Sequence, residues 1–238
     1  MESEKKTFTI STPVAVIIAG IVVAGAVVWS NGRNATTTVA TPSLPTQQAA
    51  PAVDISKVKT DGEPFIGNAN APVTMAYWYD YQCPFCQRNE EDTMPQIVKN
   101  YVDTGKLKIV FKDYEFLGPD SQTLGQFSRA VWEAVPDKFY AWHKAIYDNQ
   151  GTENTGWATH EKIMSITTTA LGANLANKVD QLVKTKGAAY QKEMDADKAE
   201  GTTMGISGTP GAIIGKQLVS GAQPYAAFQA AIEAVQNK

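Results

Sequence analysis

Val73-Thr74-Met75-Ala76-Tyr77-Trp78-Tyr79 runs almost directly into Cys83-Pro84-Phe85-Cys86, and a helical pattern continues from about Gln87 to Tyr101. The first segment, written from Thr74 to Tyr79, is apolar and aromatic enough to be a buried strand. The order is therefore strand, Cys-x-x-Cys, helix. It puts Cys83 at the first turn of a helix, where unpaired backbone N–H groups and the helix dipole favour an anion. The anion here is a thiolate, the reactive form of cysteine. The chain has 238 residues and only these two cysteines, so it has no multi-bridge framework. A disulfide closing so short a loop would constrain little.

Three chemistries fit such a pair. Thiol–disulfide exchange needs one exposed sulfur of lowered pKa and a shielded second sulfur to resolve the mixed disulfide. Zinc needs four ligands, and beyond the cysteines the chain offers only His143 and His160. Both histidines lie in distant helical stretches without paired spacing. The third reading is an inert buried pair. Composition narrows the wider field: 43% hydrophobic residues suit a packed core, and a net charge of −3 offers no basic surface for nucleic acid.

Upstream, residues 1–12 are short and polar, with Lys5-Lys6 near their end. Residues 13–30 are almost wholly apolar. As a helix this run is about 25 Å long, close to the hydrocarbon core of a bilayer, and Trp29 sits at its end as an interfacial aromatic. It reads as a single transmembrane anchor with a cytoplasmic N-terminus. The rival is a cleaved signal peptide, with Ala24-Gly25-Ala26 as its small-residue site. Either way, the chain beyond residue 30 is expected to be exported. Residues 31–58 are rich in Thr, Ala, Pro and Gln without periodicity, and read as a disordered linker.

The folded domain then spans 59–238. Helix 1 should kink at Pro95. Leu107 to Lys112 alternates like a strand. Residues 118–200 carry helical periodicity, with Phe139, Trp142, Ile146 and Tyr147 as a packing stripe. Residues 210–214 and 217–219 form a hairpin, and Pro224 to Val235 a closing amphipathic helix. The hairpin comes directly after Gly208-Thr209-Pro210-Gly211, about 125 residues after the cysteines.

At this point the chain resembles the thioredoxin superfamily, and more closely its DsbA-like branch. The match is carried by Tyr79-Asp80-Tyr81-Gln82-Cys83-Pro84-Phe85-Cys86, by Tyr101 to Lys106 running into Phe111-Lys112-Asp113, by Asp137 to His143, and by Gly205-Ile206-Ser207-Gly208-Thr209-Pro210. The resemblance implies an α/β thioredoxin-like fold with a helical insertion, here preceded by the transmembrane helix and the linker. It implies exchange chemistry at Cys83 and Cys86, tuned by Pro84 and Phe85. It also implies a cis Thr209–Pro210 bond beside the cysteines, whose backbone takes a bound peptide as an added strand would.

The expected activity is that of an exported protein thiol–disulfide oxidoreductase on the extracytoplasmic side of the cell membrane, working as an oxidase. Isomerase or reductase action, or a non-catalytic peptide-holding module, are the alternatives. No cofactor is expected beyond the redox-active Cys83–Cys86 disulfide. Expected partners are exported protein thiols and a membrane redox partner that recycles the pair, with no nucleic acid. A monomer is expected, because no long apolar dimerisation segment of the isomerase kind is present. One departure stands out. Tyr77 occupies the strand position where the superfamily often carries a buried carboxylate. Asp80, Asp113 and Glu115 are nearby acids, read as solvated or turn-capping, and His143 as a surface or packing residue of the insert.

Overall fold

The structure is a computed structural model that describes residues 53–237. The expected anchor at 13–30 and most of the linker lie outside the described residues. Among the described residues, no helix is long and apolar enough to cross a membrane.

Five strands form one mixed sheet in the order β1-β3-β2-β4-β5. They are β1 (Phe65–Ile66), β2 (Val73–Tyr79), β3 (Leu107–Asp113), β4 (Gly211–Ile214) and β5 (Gln217–Ser220). β2 and β3 run parallel, with Tyr77 opposite Phe111, while β4 lies antiparallel on the other side of β2, with Ala212 opposite Tyr77. Short β1 pairs antiparallel with β3 and was not expected from the sequence. Two residues are too few to show a period.

The strand periodicity of two splits the interior. Met75, Tyr77 and Tyr79 face the larger core, while Ala76 and Trp78 face a smaller one with Ile206 and Ile213. Val53 and Val58 close that smaller core. Between them Asp54 caps a single turn at Ile55–Lys57, accepting from the Ser56 N–H at 3.0 Å. The last residues of the expected disordered linker are therefore part of the packed domain. Two buried valines outweigh a loop-like composition.

The helix after the cysteines starts at Pro84, earlier than the periodicity suggested, because Pro84 is pre-set for a first turn and Cys83 is its N-cap. It divides into α1 (Pro84–Asp92) and α2 (Met94–Ile97), with Pro95 in the first turn of α2. The break at Thr93 is the expected kink. One wide turn, Val98–Val102, leads to β3.

The helical insertion comprises α3 (Pro119–Ala134), α4 (Phe139–Asp148), α5 (His160–Leu171) and α6 (Ala173–Thr203). Phe139, Trp142, Ile146 and Tyr147 are all buried, as the stripe predicted. The final helix α7 is Tyr225–Gln236, with Pro224 as its N-cap rather than inside its first turn. Phe228 and Ile232 are buried beneath it, and Val235 only partly.

Near its C-terminal end α6 crosses β2 at Trp78. The indole Nε1 donates to the Asp197 carbonyl at 3.0 Å, so the ring is fixed. A Cβ on Gly201 would meet that Nε1 at 2.6 Å. Glycine is needed here for close approach, despite its cost in a helix. Gly201→Leu is therefore expected to lose about 1–3 kcal/mol by overpacking, read as a lower urea midpoint at unchanged slope.

Candidate active site

β2 delivers the chain to the site, and the loop Asp80–Cys83 turns it into α1. Asp80 is fully buried and holds this loop. It accepts from the Gln82 N–H at 2.8 Å, the Ser121 hydroxyl at 2.6 Å, and the N–H groups of Phe116 and Leu117 at 2.9 and 3.1 Å. This is turn-capping, as expected, but dry rather than solvated. The insertion grips the same loop. Tyr147 donates to the Asp80 carbonyl at 3.1 Å, and Gln150 Nε2 donates to the Tyr81 carbonyl at 2.6 Å and the Cys83 carbonyl at 3.3 Å.

Both cysteines are free thiols. Cys83 is 4% exposed and Cys86 not at all. The first sulfur is thus recessed rather than openly exposed, and Phe85 is the exposed member of the motif at 54%. The Arg88 guanidinium stacks 5.1 Å from the Phe85 ring centre, so a charge does lie beside a residue that brings none of its own.

The electrostatics separate the two sulfurs. The Cys83 thiol is lowered to about 6: a hydrogen bond from the Cys86 thiol stabilises its anion, and burial opposes it. The Thr209 side chain and the backbone N–H groups of Cys86 and Phe85 add to the stabilisation. Pro84 supplies no N–H, so the helix-start donors come from the next two residues. The Cys86 thiol moves the other way. Burial raises it well above the ordinary range, and its role as donor to Cys83 raises it further.

The Thr209–Pro210 bond is cis. The loop meets the cysteines where the motif spacing placed it: Cys83 Sγ donates to the Thr209 carbonyl at 3.3 Å. That bond exists only for the thiol, since a thiolate has no proton to donate. The Thr209 hydroxyl is buried without a hydrogen-bond partner, yet it is close enough to lower both sulfurs. It is a donor waiting for the thiolate. Thr209 and Pro210 stand at the head of β4, which pairs with β2 and so holds the loop beside Cys83.

Tyr77, in place of a strand acid, is buried, and its hydroxyl accepts from Asn89 Nδ2 at 3.1 Å. The other acids are not solvated. Asp113 accepts from Arg129 Nε at 2.5 Å. Glu115 is buried with both carboxyl oxygens unpartnered, and burial first, then the charges of Asp80 and Asp113, hold its carboxyl well above the usual range. His143 is not on the surface. It is fully buried among aromatic rings, with the Phe111 and Tyr79 centroids 4.8 and 4.9 Å from its own. Its Nδ1 lies 2.9 Å from the Tyr81 hydroxyl. Sequence reasoning passed over Glu90, also buried, whose one signal was its place four residues after Cys86 on the same helix.

The thioredoxin family pattern matches residues 59–234, from the start of the folded domain into its last helix. The chain belongs to the thioredoxin family. Among its thioredoxin-family relatives, disulfide bond formation protein D of Bacillus subtilis is 28% identical over 72% of this chain and 76% of that protein. A probable disulfide bond formation protein D of Bacillus cereus is 24% identical over 65% of this chain and 71% of that one. In fold, the domain is similar to the oxidised crystal structure of BdbD from Bacillus subtilis, at a TM-score of 0.68 and 22% identity, covering 79% of this chain and 98% of that one. It is also similar to the thiol-disulfide exchange protein alpha-DsbA2 of Wolbachia pipientis, at a TM-score of 0.64 and 22% identity over 73% and 87% of the two chains. The thioredoxin fold with its helical insertion is therefore the DsbA-like one.

Proposed function

We propose that this protein-disulfide oxidoreductase is an exported oxidase, tethered to the cell membrane by residues 13–30, that introduces disulfides into other exported proteins. The observation that carries the direction is the Cys83 thiol at about 6 beside a Cys86 thiol held high. A stabilised thiolate stabilises the reduced enzyme, and so makes its disulfide a stronger oxidant. The names of the relatives in Bacillus point the same way.

A substrate thiolate attacks Cys83 Sγ of the Cys83–Cys86 disulfide. That bond breaks, with its electron pair on Cys86, and a mixed disulfide joins substrate to Cys83. A second substrate thiolate attacks the substrate sulfur, and Cys83 leaves as a thiolate. The low Cys83 pKa speeds this departure. The Thr209–Pro210 backbone aligns the peptide as an added strand, and exposed Phe85 gives it apolar contact. Two electrons now rest on the dithiol, and a membrane redox partner removes them. No further cofactor takes part, and the enzyme acts as a monomer.

Equilibration of the pair against glutathione buffers tests the direction. An oxidase is expected above about −200 mV, toward the oxidising end of the family range. A potential near about −270 mV, as for thioredoxin, sinks the oxidase reading in favour of a reductase.

A further inference from the structure

Exchange at this site moves a proton for which the strand supplies no carrier. Cys86 must lose its proton to attack a mixed disulfide and regain one when it leaves, yet it is fully buried. Tyr77 fills the strand position and its hydroxyl is an acceptor for Asn89. Two of the three acids that sequence nominated are engaged elsewhere. Asp80 is committed to loop amides and Ser121, and Asp113 to Arg129. Glu115 lies on the side of Tyr79 and Tyr81, both of which feel its charge.

Glu90 is placed differently. Cys86 and Glu90 are four residues apart on α1, so their side chains share one helix face, and both are buried. Tyr77 of β2 and Tyr147 of α4 each feel the charges of both Cys86 and Glu90, which brackets the two groups in one compartment. Glu90 Oε2 accepts from the Tyr140 hydroxyl at 3.2 Å. Its Oε1 has no hydrogen-bond partner, and neither has His143 Nε2, which faces it at 3.4 Å. Two unsatisfied atoms, an acceptor and a ring nitrogen, confront each other in a dry core. Native interiors rarely leave such groups unpaired, and those that do usually have a reason. The far ring nitrogen meets Tyr81, whose hydroxyl donates to Ser128 at 3.0 Å. The pair thus has a hydrogen-bonded connection on its other side.

We propose that Glu90, paired with His143, holds and returns the proton of Cys86, in place of the carboxylate that β2 lacks. This rests on the exchange reading of the cysteine pair. In resolution of a mixed disulfide, the Cys86 proton passes to the Glu90–His143 pair. The Cys86 thiolate attacks Cys83 Sγ, the Cys83–Cys86 bond forms, and the bond from Cys83 to the departing sulfur breaks with its electron pair on that sulfur. In the oxidase direction the steps reverse: the Cys83–Cys86 bond breaks toward Cys86, which takes its proton back from the pair. Electrons stay among the sulfurs, so the step needs no added oxidant.

The test mixes reduced full-length protein with dithiobis-nitrobenzoate across a range of pH. Attack by Cys83 releases one coloured thiolate, and resolution by Cys86 releases the second. Glu90→Gln is expected to slow the second release about 100-fold below about pH 8, as loss of acid–base help does. The gap should close in alkali, where hydroxide takes the proton, while the first release is unchanged and Glu90→Asp recovers part of the rate. An unaltered second release, or a slowing equal at every pH, overturns the proposal, the latter showing a merely structural role. If Glu90→Gln does not fold, Glu90→Asp carries the test: slowing confined to low pH supports the proposal and no slowing overturns it. Absence of a second release in the wild-type protein rejects the exchange reading itself, and is distinct from every outcome of the variants.

Discussion

Arg129→Ala is expected to cost about 3–5 kcal/mol of folding stability, because it strands buried carboxylates without their cation. Arg129 on α3 is 4% exposed. Its Nη1 lies 2.6 Å from Glu63, its Nε 2.5 Å from Asp113, and its Nη2 pairs with Asp197. Lys112 on β3 is fully buried in the same cluster, 2.5 Å from Asp197 and 3.0 Å from Glu200. With the guanidinium gone, the buried Lys112 ammonium and the exposed Lys59 ammonium, 2.7 Å from Glu63, are left among these acids. In a domain of this size the loss is a fall in Tm of roughly 10 °C.

The cluster also sets a pH dependence. Asp197 is raised to about 7 from 3.8, by burial first, with Arg129 pulling the other way. A carboxyl raised on folding favours the native state below its unfolded pKa, and that contribution fades as pH rises through the folded value. Removing Arg129 strengthens this trend, so the variant should lose more at pH 8 than at pH 5. Urea unfolding at both pH values measures it. A penalty that does not grow with pH contradicts the account. Replacing the whole cluster with apolar residues of similar volume is expected to recover much of the loss.

That cluster marks where the sequence stopped being readable. β3 and the insert helices were legible by period, and β2 by its continuous apolar and aromatic run. The site was legible for another reason. Cys83, Cys86, Thr209 and Pro210 are marked by residue type and by their distance in sequence, which can be read before the packing that drives the two sulfurs apart is known. Lys112 and Glu63 were not legible. On an alternating strand a lysine reads as the solvent face, and Lys112 is covered by α6, from far along the chain, together with Lys59 and Glu63. Glu90 drew no reading, and for His143 the sequence left surface and packing both open, of which the structure shows packing. Each sits at a position where a helix surface is the ordinary expectation; rings of the sheet, Phe111 and Tyr79, enclose His143, and Glu90 meets Tyr140 and His143 of α4. Val53 and Val58 show the same limit at the domain edge: the cluster that makes them core is drawn from β2, β4 and the loop at Ile206.

The reduced protein should ionise at Cys83 with a midpoint of about 6, against about 8.5 for an ordinary thiol. At neutral pH Cys83 is then mostly thiolate, where a typical cysteine is a few per cent so. Alkylation of Cys83 should be near its plateau at pH 7 and fall about tenfold for each pH unit well below the midpoint, since only the thiolate reacts. Cys86→Ala removes the largest stabilising contribution, the thiol hydrogen bond, and should move the midpoint upward. Thr209→Val removes the unpartnered hydroxyl and should move it upward by less.

The stability consequence has a definite sign. A thiol depressed on folding stabilises the native state above its unfolded pKa, and that contribution is lost as pH falls through about 6. The reduced protein should therefore gain stability over the Cys83→Ser variant between about pH 6 and pH 9, and match it in acid. The oxidised protein carries no thiol and should show no such gain. Thiolate absorbance during a pH titration, with thermal melts of both redox forms, tests the two halves. A midpoint near 8.5, or a gain equal in both forms, rejects the assignment of Cys83 as the stabilised sulfur and leaves the oxidase direction without its physical support.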